Sequence, residues 1–306
     1  MKKMNRAPWV LISLCILAVL AGGLLSGADD RGNEGAPHQA VNEAGSETKS
    51  VSSPSAPVSA DVPQDGKKED AGPREEEKSP PPGPYVAIVI DDFGFSRSIA
   101  DEYKDISLSL TWSIIPFQTH SGYAAELAEE SGIPYMVHMP MSAVGDKKWS
   151  EKKGVIDTGM SAETVTLLLR KAMASLPGAL GMNNHRGSRA TKDEKIMEMI
   201  MTELAATPLF FLDSRTIASS VAYKAALENE VPAAFCSVFI DHESSEEFME
   251  KQFRRGLAIA EKKGWVVMIA HTRSATVDFL KKKSGIPLEK GRYVTMPELI
   301  RYTAKK

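Results

Sequence analysis

The chain has 306 residues, of which 42% are hydrophobic, 25% charged and 7% aromatic, as in an ordinary globular protein. This length allows one large domain or two small ones. A net charge of −3 argues against a nucleic-acid partner, because proteins that bind nucleic acids usually present a basic surface. The two cysteines, Cys15 and Cys236, are too few for a disulfide framework or a cysteine-rich zinc site.

Residues 1–28 have the pattern of a membrane-targeting segment. Lys2, Lys3 and Arg6 precede an uncharged run from Ala7 to Ala28. A helix of about 20 apolar residues spans a bilayer, and a basic flank stays in the cytoplasm. The run is either a signal anchor that is kept or a signal peptide cleaved after residues 26–28. Both interpretations predict an extracytoplasmic protein, periplasmic or in the cell envelope, and the anchor attaches it to the membrane.

Residues 29–83 are predicted to be a disordered linker. From Gly27 to Gly83 the chain contains eight prolines and no Leu, Ile, Met, Phe, Trp, Tyr or Cys. Such a segment cannot bury enough apolar surface to offset the entropy lost on ordering. It therefore predicts a solvated spacer between the N-terminal segment and the rest of the chain.

Residues 84–306 show strand-like and helix-like patterns in regular alternation. The predicted strands are 85–91, 108–116, 133–138, 179–185, 209–213, 233–241 and 265–271, and the predicted helices are 98–105, 122–131, 162–175, 193–206, 219–228, 246–263 and 296–304. This alternation indicates a parallel α/β fold, either an open doubly wound sheet or a closed barrel. No Gly-rich phosphate loop follows the first strand, which favours a single (β/α) barrel, seven-stranded and distorted in its closure.

Polar residues gather at the carboxyl ends of the predicted strands, where sites form in parallel α/β folds. Any one of them could be a helix cap or a structural hydrogen-bonding group. Six strand ends with the same character favour a shared metal or acid/base site. The set comprises Asp91, Asp92, His138, Asn183, Asn184, His185, Asp213, Ser214, Arg215, Asp241, His242 and His271.

Three members of this set are suitable metal ligands. Asp92, His138 and His185 offer the carboxylate and imidazole donors that Zn²⁺ and other divalent transition metals bind. Three protein ligands leave a position open for water, whose pKa the metal would lower so that it can attack a carbonyl group. Asp91 is then expected to act as the base and His271 as the acid that protonates the leaving group.

The remaining candidates are assigned to catalysis or to substrate binding. Asp213 and Arg215 are expected to be catalytic. Arg215 is expected to orient Asp213 or to hold an anionic part of the substrate. Substrate contacts are expected from Asn184, Asp241, His242 and Trp149. Trp149 follows the third predicted strand and is a candidate for stacking on a sugar ring.

Five motifs occur in order at these strand ends. They are 90–94 (Ile-Asp-Asp-Phe-Gly), 138–141 (His-Met-Pro-Met), 183–188 (Asn-Asn-His-Arg-Gly-Ser), 211–216 (Phe-Leu-Asp-Ser-Arg-Thr) and 239–242 (Phe-Ile-Asp-His). Together they resemble the divergent polysaccharide deacetylase family of exported bacterial proteins, over residues 84–302. The resemblance implies a NodB-like glycoside hydrolase/deacetylase barrel with a divalent metal, in which Asp91 is the base and Asp92 binds the metal.

Three functions are compatible with these patterns. The first is an exported metal hydrolase that removes N- or O-acetyl groups from a cell-envelope polysaccharide or peptidoglycan-type glycan. The second is a metal hydrolase of an amide or ester outside carbohydrates. The third is a barrel without catalysis that binds glycan or an envelope partner. It rests on the absence from the sequence of two histidines about four residues apart, a pair that typical deacetylases use to bind metal.

Overall fold

The computed structural model describes residues 83–147 and 154–304. The predicted N-terminal membrane segment, the predicted linker and Trp149 lie outside these ranges, so the predictions about them stay predictions. Within the same ranges, no helix is both long enough and apolar enough to cross a membrane.

Within the described residues, nine strands and eight α-helices follow one another in near-regular alternation, in agreement with the predicted α/β class. The strands are β1 (Tyr85–Phe93), β2 (Leu110–Ile114), β3 (Tyr135–Met141), β4 (Gly181–Arg186), β5 (Phe210–Asp213), β6 (Ala233–Phe235), β7 (Val238–Phe239), β8 (Trp265–His271) and β9 (Arg292–Val294). The helices are α1 (Arg97–Lys104), α2 (Ser121–Glu130), α3 (Ala162–Ser175), α4 (Glu194–Ala205), α5 (Ala222–Glu228), α6 (Glu246–Lys263), α7 (Ser274–Lys283) and α8 (Met296–Ala304).

All the strand pairs are parallel, in the order β6-β5-β4-β3-β2-β1-β8-β7, with β9 beside β1. The segment predicted as one sixth strand, 233–241, is divided into β6 and β7. Its first half pairs with β5, and its second half pairs with β8 at the other end of the sheet. Cys236 and Ser237, which lie between β6 and β7, extend the two pairings. The Cys236 amide donates to Asp213 O beside β6, and the Ser237 amide donates to Val267 O of β8. One stretch of chain therefore closes a distorted barrel, as predicted, although the sheet of the described residues has nine strands rather than seven.

The alternation of side chains along each strand separates two apolar layers. In β1, Val86, Ile88 and Ile90 pack outward beneath the helices, whereas Ala87 and Val89 point into the barrel. The inner layer also receives Met296 and Leu299 of α8. Both faces of the central strands are thus buried, as their β-branched sequences predict.

Two elements were not predicted, namely α7 and β9. The basic run Lys281-Lys-Lys283 hides the amphipathic character of α7, although Val277, Phe279 and Leu280 are buried. β9 has three residues, which is too short for a periodic signal.

Candidate active site

An irregularity at the end of β1 brings two consecutive carboxylates to the same place. Successive side chains of a regular strand point to opposite faces, so Asp91 and Asp92 would normally diverge. Here the register with β2 shifts between Ile90 and Phe93, and Asp92 has a φ of 72°. A non-glycine residue in the left-handed region is strained, and such strain concentrates at functional sites.

Asp92, His138 and His185 converge at the carboxyl ends of β1, β3 and β4. One ligand atom from each lies within 4.8 Å of the others. Oδ1 of Asp92 is 3.3 Å from Nε2 of His138 and 3.0 Å from Nδ1 of His185. The two imidazole nitrogens are 3.2 Å apart. The predicted ligand set is therefore a compact group, with His138 buried and the other two partly open to solvent.

Oδ1 of Asp92, which lies close to both histidines, favours a bound cation at this position. Oδ1 of Asp92 is buried, and no hydrogen bond to it is formed within the described part of the chain, although buried acceptors are normally satisfied. Three converging carboxylate and imidazole donors with an unsatisfied oxygen between them fit a divalent metal ion. We conclude that these residues form a candidate metal site.

Asn183 fixes the orientation of both neighbouring groups. Its Nδ2 donates to Oδ1 of Asp91 at 3.0 Å and to Oγ of Ser214 at 3.2 Å. Its Oδ1 therefore faces Nδ1 of His138 at 2.8 Å and accepts from Ser113 Oγ at 2.5 Å. Because an amide oxygen only accepts, Nδ1 of His138 carries the proton, and Nε2 presents its lone pair to the candidate metal site.

The pKa values of these four side chains are shifted by burial and by the charges of their neighbours. Burial raises the pKa of Asp91, although the nearby histidines oppose this shift. Burial alone would also raise the pKa of Asp92, but His138 and His185 hold it well below its usual range. For His138, burial acts to lower the pKa, and the two carboxylates outweigh it so that the pKa is raised. Burial dominates for His185 and lowers its pKa. A cluster of side chains whose pKa values are shifted by burial and by one another is a mark of functional sites.

His271 and Asp241 form a hydrogen-bonded pair on the opposite side of Asp91. The strand register places His271 beside Asp91, and Nδ1 of His271 lies 2.8 Å from Oδ1 of Asp241. Oδ2 of Asp241 accepts from the His271 amide at 2.8 Å and from Thr276 Oγ1 at 2.7 Å. Burial would lower the pKa of His271, but Asp241 raises it. This arrangement favours the protonated imidazole that a general acid needs.

The other predicted site residues do not join this cluster. Asp213 is buried, and its carboxylate accepts from the Arg215 amide at 2.8 Å and from Ser220 Oγ at 2.8 Å. The Arg215 guanidinium lies over the Phe235 ring, 3.6 Å from its centroid. Asn184 joins two loops, since it accepts from the Ser214 amide and donates to Arg186 O. His242 is exposed.

Two contributors were missed in the sequence. Asn183 was noted as a strand-end residue but was given no role, and Ser113 was not noted. Ser113 could have been found because it is a small polar residue inside an otherwise apolar strand. Asn183 could have been found because it stands two residues before His185, so that both side chains lie on the same face of the strand. Asp241 was assigned to substrate contact, whereas the structure places it buried behind His271 with both oxygens engaged.

With this geometry in place, the comparisons with known proteins identify the class. The model of the family described as divergent polysaccharide deacetylase matches residues 88–296. The chain therefore belongs to the divergent polysaccharide deacetylase family. The family predicted from the five motifs is confirmed.

Three similar proteins show how far the likeness extends. An uncharacterized protein of Haemophilus influenzae is 35% identical over 196 residues, covering 64% of this chain and 69% of the relative. The uncharacterized protein YibQ of Escherichia coli K12 is 31% identical over 197 residues, covering 64% of this chain and 61% of YibQ. The crystal structure of uncharacterized protein ATU2773 from Agrobacterium tumefaciens C58 has a TM-score of 0.63 at 21% identity, covering 67% of this chain and 83% of that one. The last similarity shows a shared fold.

Proposed function

We propose that this protein is an extracytoplasmic, metal-dependent hydrolase that removes acetyl groups from a cell-envelope carbohydrate of the peptidoglycan type. Membership of a polysaccharide deacetylase family supports the carbohydrate substrate. The observation that carries the mechanism is the convergence of Asp92, His138 and His185 next to Asp91, which on its other side lies beside the His271–Asp241 pair. The predicted signal segment supports export.

The metal would be held by Asp92, His138 and His185. Zn²⁺ suits two imidazoles and one carboxylate, and when bound such an ion makes water more acidic and polarises an acyl oxygen. Asn183 keeps the Nε2 lone pair of His138 directed at this position.

The proton transfers are assigned to groups of the chain. Oδ1 of Asp91 is held by Asn183, and Oδ2 lies 3.6 Å from Nε2 of His138. Asp91 is placed to accept the proton of the water that attacks the acetyl carbonyl carbon. His271, held by Asp241, is placed to protonate the sugar nitrogen or oxygen as its bond to the acetyl carbon breaks. Acetate and the deacetylated sugar are the products.

Metal content tests this proposal first. We expect near-stoichiometric zinc in the purified full-length chain, and loss of that zinc in Asp92→Ala, His138→Ala and His185→Ala. His242→Ala is the matched control, because His242 is an exposed histidine outside the cluster. A wild-type protein that stays folded and metal-free when zinc is supplied would contradict the hydrolase mechanism.

Acetate release then tests the substrate. The zinc-loaded protein should release acetate from acetylated glycan fragments, and Asp91→Asn should abolish release while retaining zinc. Binding of glycan that persists unchanged without zinc, with no acetate released, would instead support the non-catalytic barrel.

A further inference from the structure

A pocket opens directly beside the candidate metal site. It has a volume of about 490 Å³ and lies between the loop that follows β1 and the loop that follows β8. Asp92, Phe95 and Ser98 line one side, and Thr272 and Arg273 line the other. Thr272 Oγ1 donates to the backbone oxygen of Asp92 at 3.2 Å, so the pocket and the metal site share a wall.

An exposed aromatic ring forms part of this pocket. Phe95 has 58% of its surface exposed, so that much of its apolar side chain is open to contact with a ligand. Its backbone is fixed on both sides. Gly94 has a φ of 121°, which favours glycine, and Ser96 caps α1 by accepting from the Ile99 amide. The ring is therefore held ready at the pocket wall rather than presented by a loose loop.

The polar groups of the pocket point to the kind of ligand. Besides Asp92, the pocket has one cationic side chain, Arg273, and one anionic side chain, Glu102, together with the hydroxyl of Ser98. The two charges balance, which disfavours a strongly anionic ligand. A flat apolar face surrounded by hydrogen-bond donors and acceptors matches a sugar ring, which has C–H groups on its face and hydroxyls at its edge.

We propose that this pocket binds an uncharged sugar ring adjacent to the acetylated sugar, with Phe95 as the platform on which that ring stacks. The assignment rests on the proposed function, because it places the acetylated sugar at the metal site. It adds the place at which the neighbouring sugar binds, and it assigns to Phe95 a contribution to substrate affinity without a part in the chemistry.

The experiment separates the pocket from the metal site by using two readouts. Binding is measured calorimetrically with the zinc-loaded full-length Asp91→Asn protein and the β-1,4-linked tetramer of N-acetylglucosamine. Turnover is measured with the full-length protein and 4-nitrophenyl acetate, which is too small to reach the pocket and the metal site together. Phe95→Ala is compared with Phe95→Trp, which keeps a ring, and with Leu180→Ala. Leu180 is 47% exposed and precedes β4, at the opposite end of the barrel.

We expect Phe95→Ala to weaken tetramer binding about tenfold, with Phe95→Trp and Leu180→Ala near the wild-type affinity and ester turnover unchanged in all three. The uncharged tetramer should bind more tightly than a tetramer of galacturonic acid. Equal tetramer affinity in Phe95→Ala and wild type, or no binding by either, would overturn the pocket assignment even if the ester is hydrolysed. Tighter binding of the galacturonate tetramer would overturn the uncharged-sugar assignment. Phe95-dependent binding without ester turnover would retain the pocket and count against the hydrolase.

Discussion

At the scale of single residues, Asn183 connects the predicted base to a predicted metal ligand. One side-chain amide holds the Asp91 carboxylate with its nitrogen and the His138 imidazole with its oxygen. Groups that orient metal ligands in this way are often nearly as important for affinity as the ligands themselves. The geometry therefore makes Asn183 a positioning residue for both the metal and the proton transfer.

Replacing Asn183 should weaken metal binding without removing a ligand. We expect Asn183→Ala to lower zinc affinity by roughly 10–100-fold, because the Nδ1–H tautomer of His138 loses its acceptor. Competition with a chromophoric chelator measures the affinity. Asn229→Ala is the matched control, since Asn229 also donates two hydrogen bonds but lies at the end of α5. Equal zinc affinity in Asn183→Ala and the wild type would rule out the positioning role.

Asp241 should control the protonation of His271. Its carboxylate raises the pKa of His271 against the opposing effect of burial. A general acid works while protonated, so activity should fall as pH rises through this pKa. Asp241→Asn removes the negative charge and lowers the pKa, so the alkaline limb of the kcat profile should move to lower pH, with kcat reduced roughly 100-fold or more. An unshifted limb would show that His271 is not the titrating acid.

At the scale of elements, the alternation of residues predicted which segments form the barrel but not how the chain bends within them. The apolar character of 233–241 is the same whether it forms one strand or two. The division into β6 and β7 depends on which neighbour each half meets, β5 or β8, and that choice is made by the closure of the whole barrel. In the same way, Asp91 and Asp92 were placed at a strand end, but the bulge that turns both toward one site depends on the register with β2.

A partly buried ion pair joins the segment that follows β3 to the connection between β4 and α4. Arg189 NH2 donates to the two carboxylate oxygens of Asp157 at 2.8 and 2.9 Å, and its Nε donates to Ser142 Oγ at 3.2 Å. Burial would raise the pKa of Asp157, but hydrogen bonds from Ser142 and the Thr158 amide, together with Arg189, lower it. A carboxyl with a lowered pKa stabilises the fold above its unfolded pKa and loses that contribution as pH falls.

Removal of this charge should destabilise the protein in a pH-dependent way. We expect Asp157→Asn to reduce the free energy of unfolding by about 1–3 kcal/mol at pH 7. The difference from wild type should shrink below about pH 4, where the Asp157 carboxyl begins to be protonated in the unfolded chain, and should be lost as pH falls through its lower pKa in the folded protein. Urea unfolding at pH 7 and pH 3 measures both values. Glu203→Gln, which breaks the exposed pair with Arg170, should change stability by less than about 1 kcal/mol. A constant difference at both pH values would contradict the assigned role of the charge.

At the scale of the molecule, the candidate metal ligands come from β1, β3 and β4, which are far apart in sequence but lie within the four consecutive strands β4-β3-β2-β1 of the sheet. Parallel strands bring their carboxyl ends to one edge, which is why the sequence predicted the ligand set from strand ends alone. The sequence could not predict the supporting partners of these ligands. Asp241 behind His271 and Asn183 between His138 and Asp91 are defined by contacts across the barrel.

A metal that joins three strands should stabilise the whole barrel, because a ligand that binds only the folded state adds its binding free energy to folding. Zinc at a hundred times its Kd should add about 2.7 kcal/mol, which raises the Tm of a domain of this size by roughly 5–10 °C. Differential scanning fluorimetry with zinc and with excess chelator measures the change. His185→Ala should lose most of this rise, whereas His242→Ala should keep it. An equal rise in His185→Ala and wild type would show that zinc stabilises the protein from a site other than the one formed by Asp92, His138 and His185.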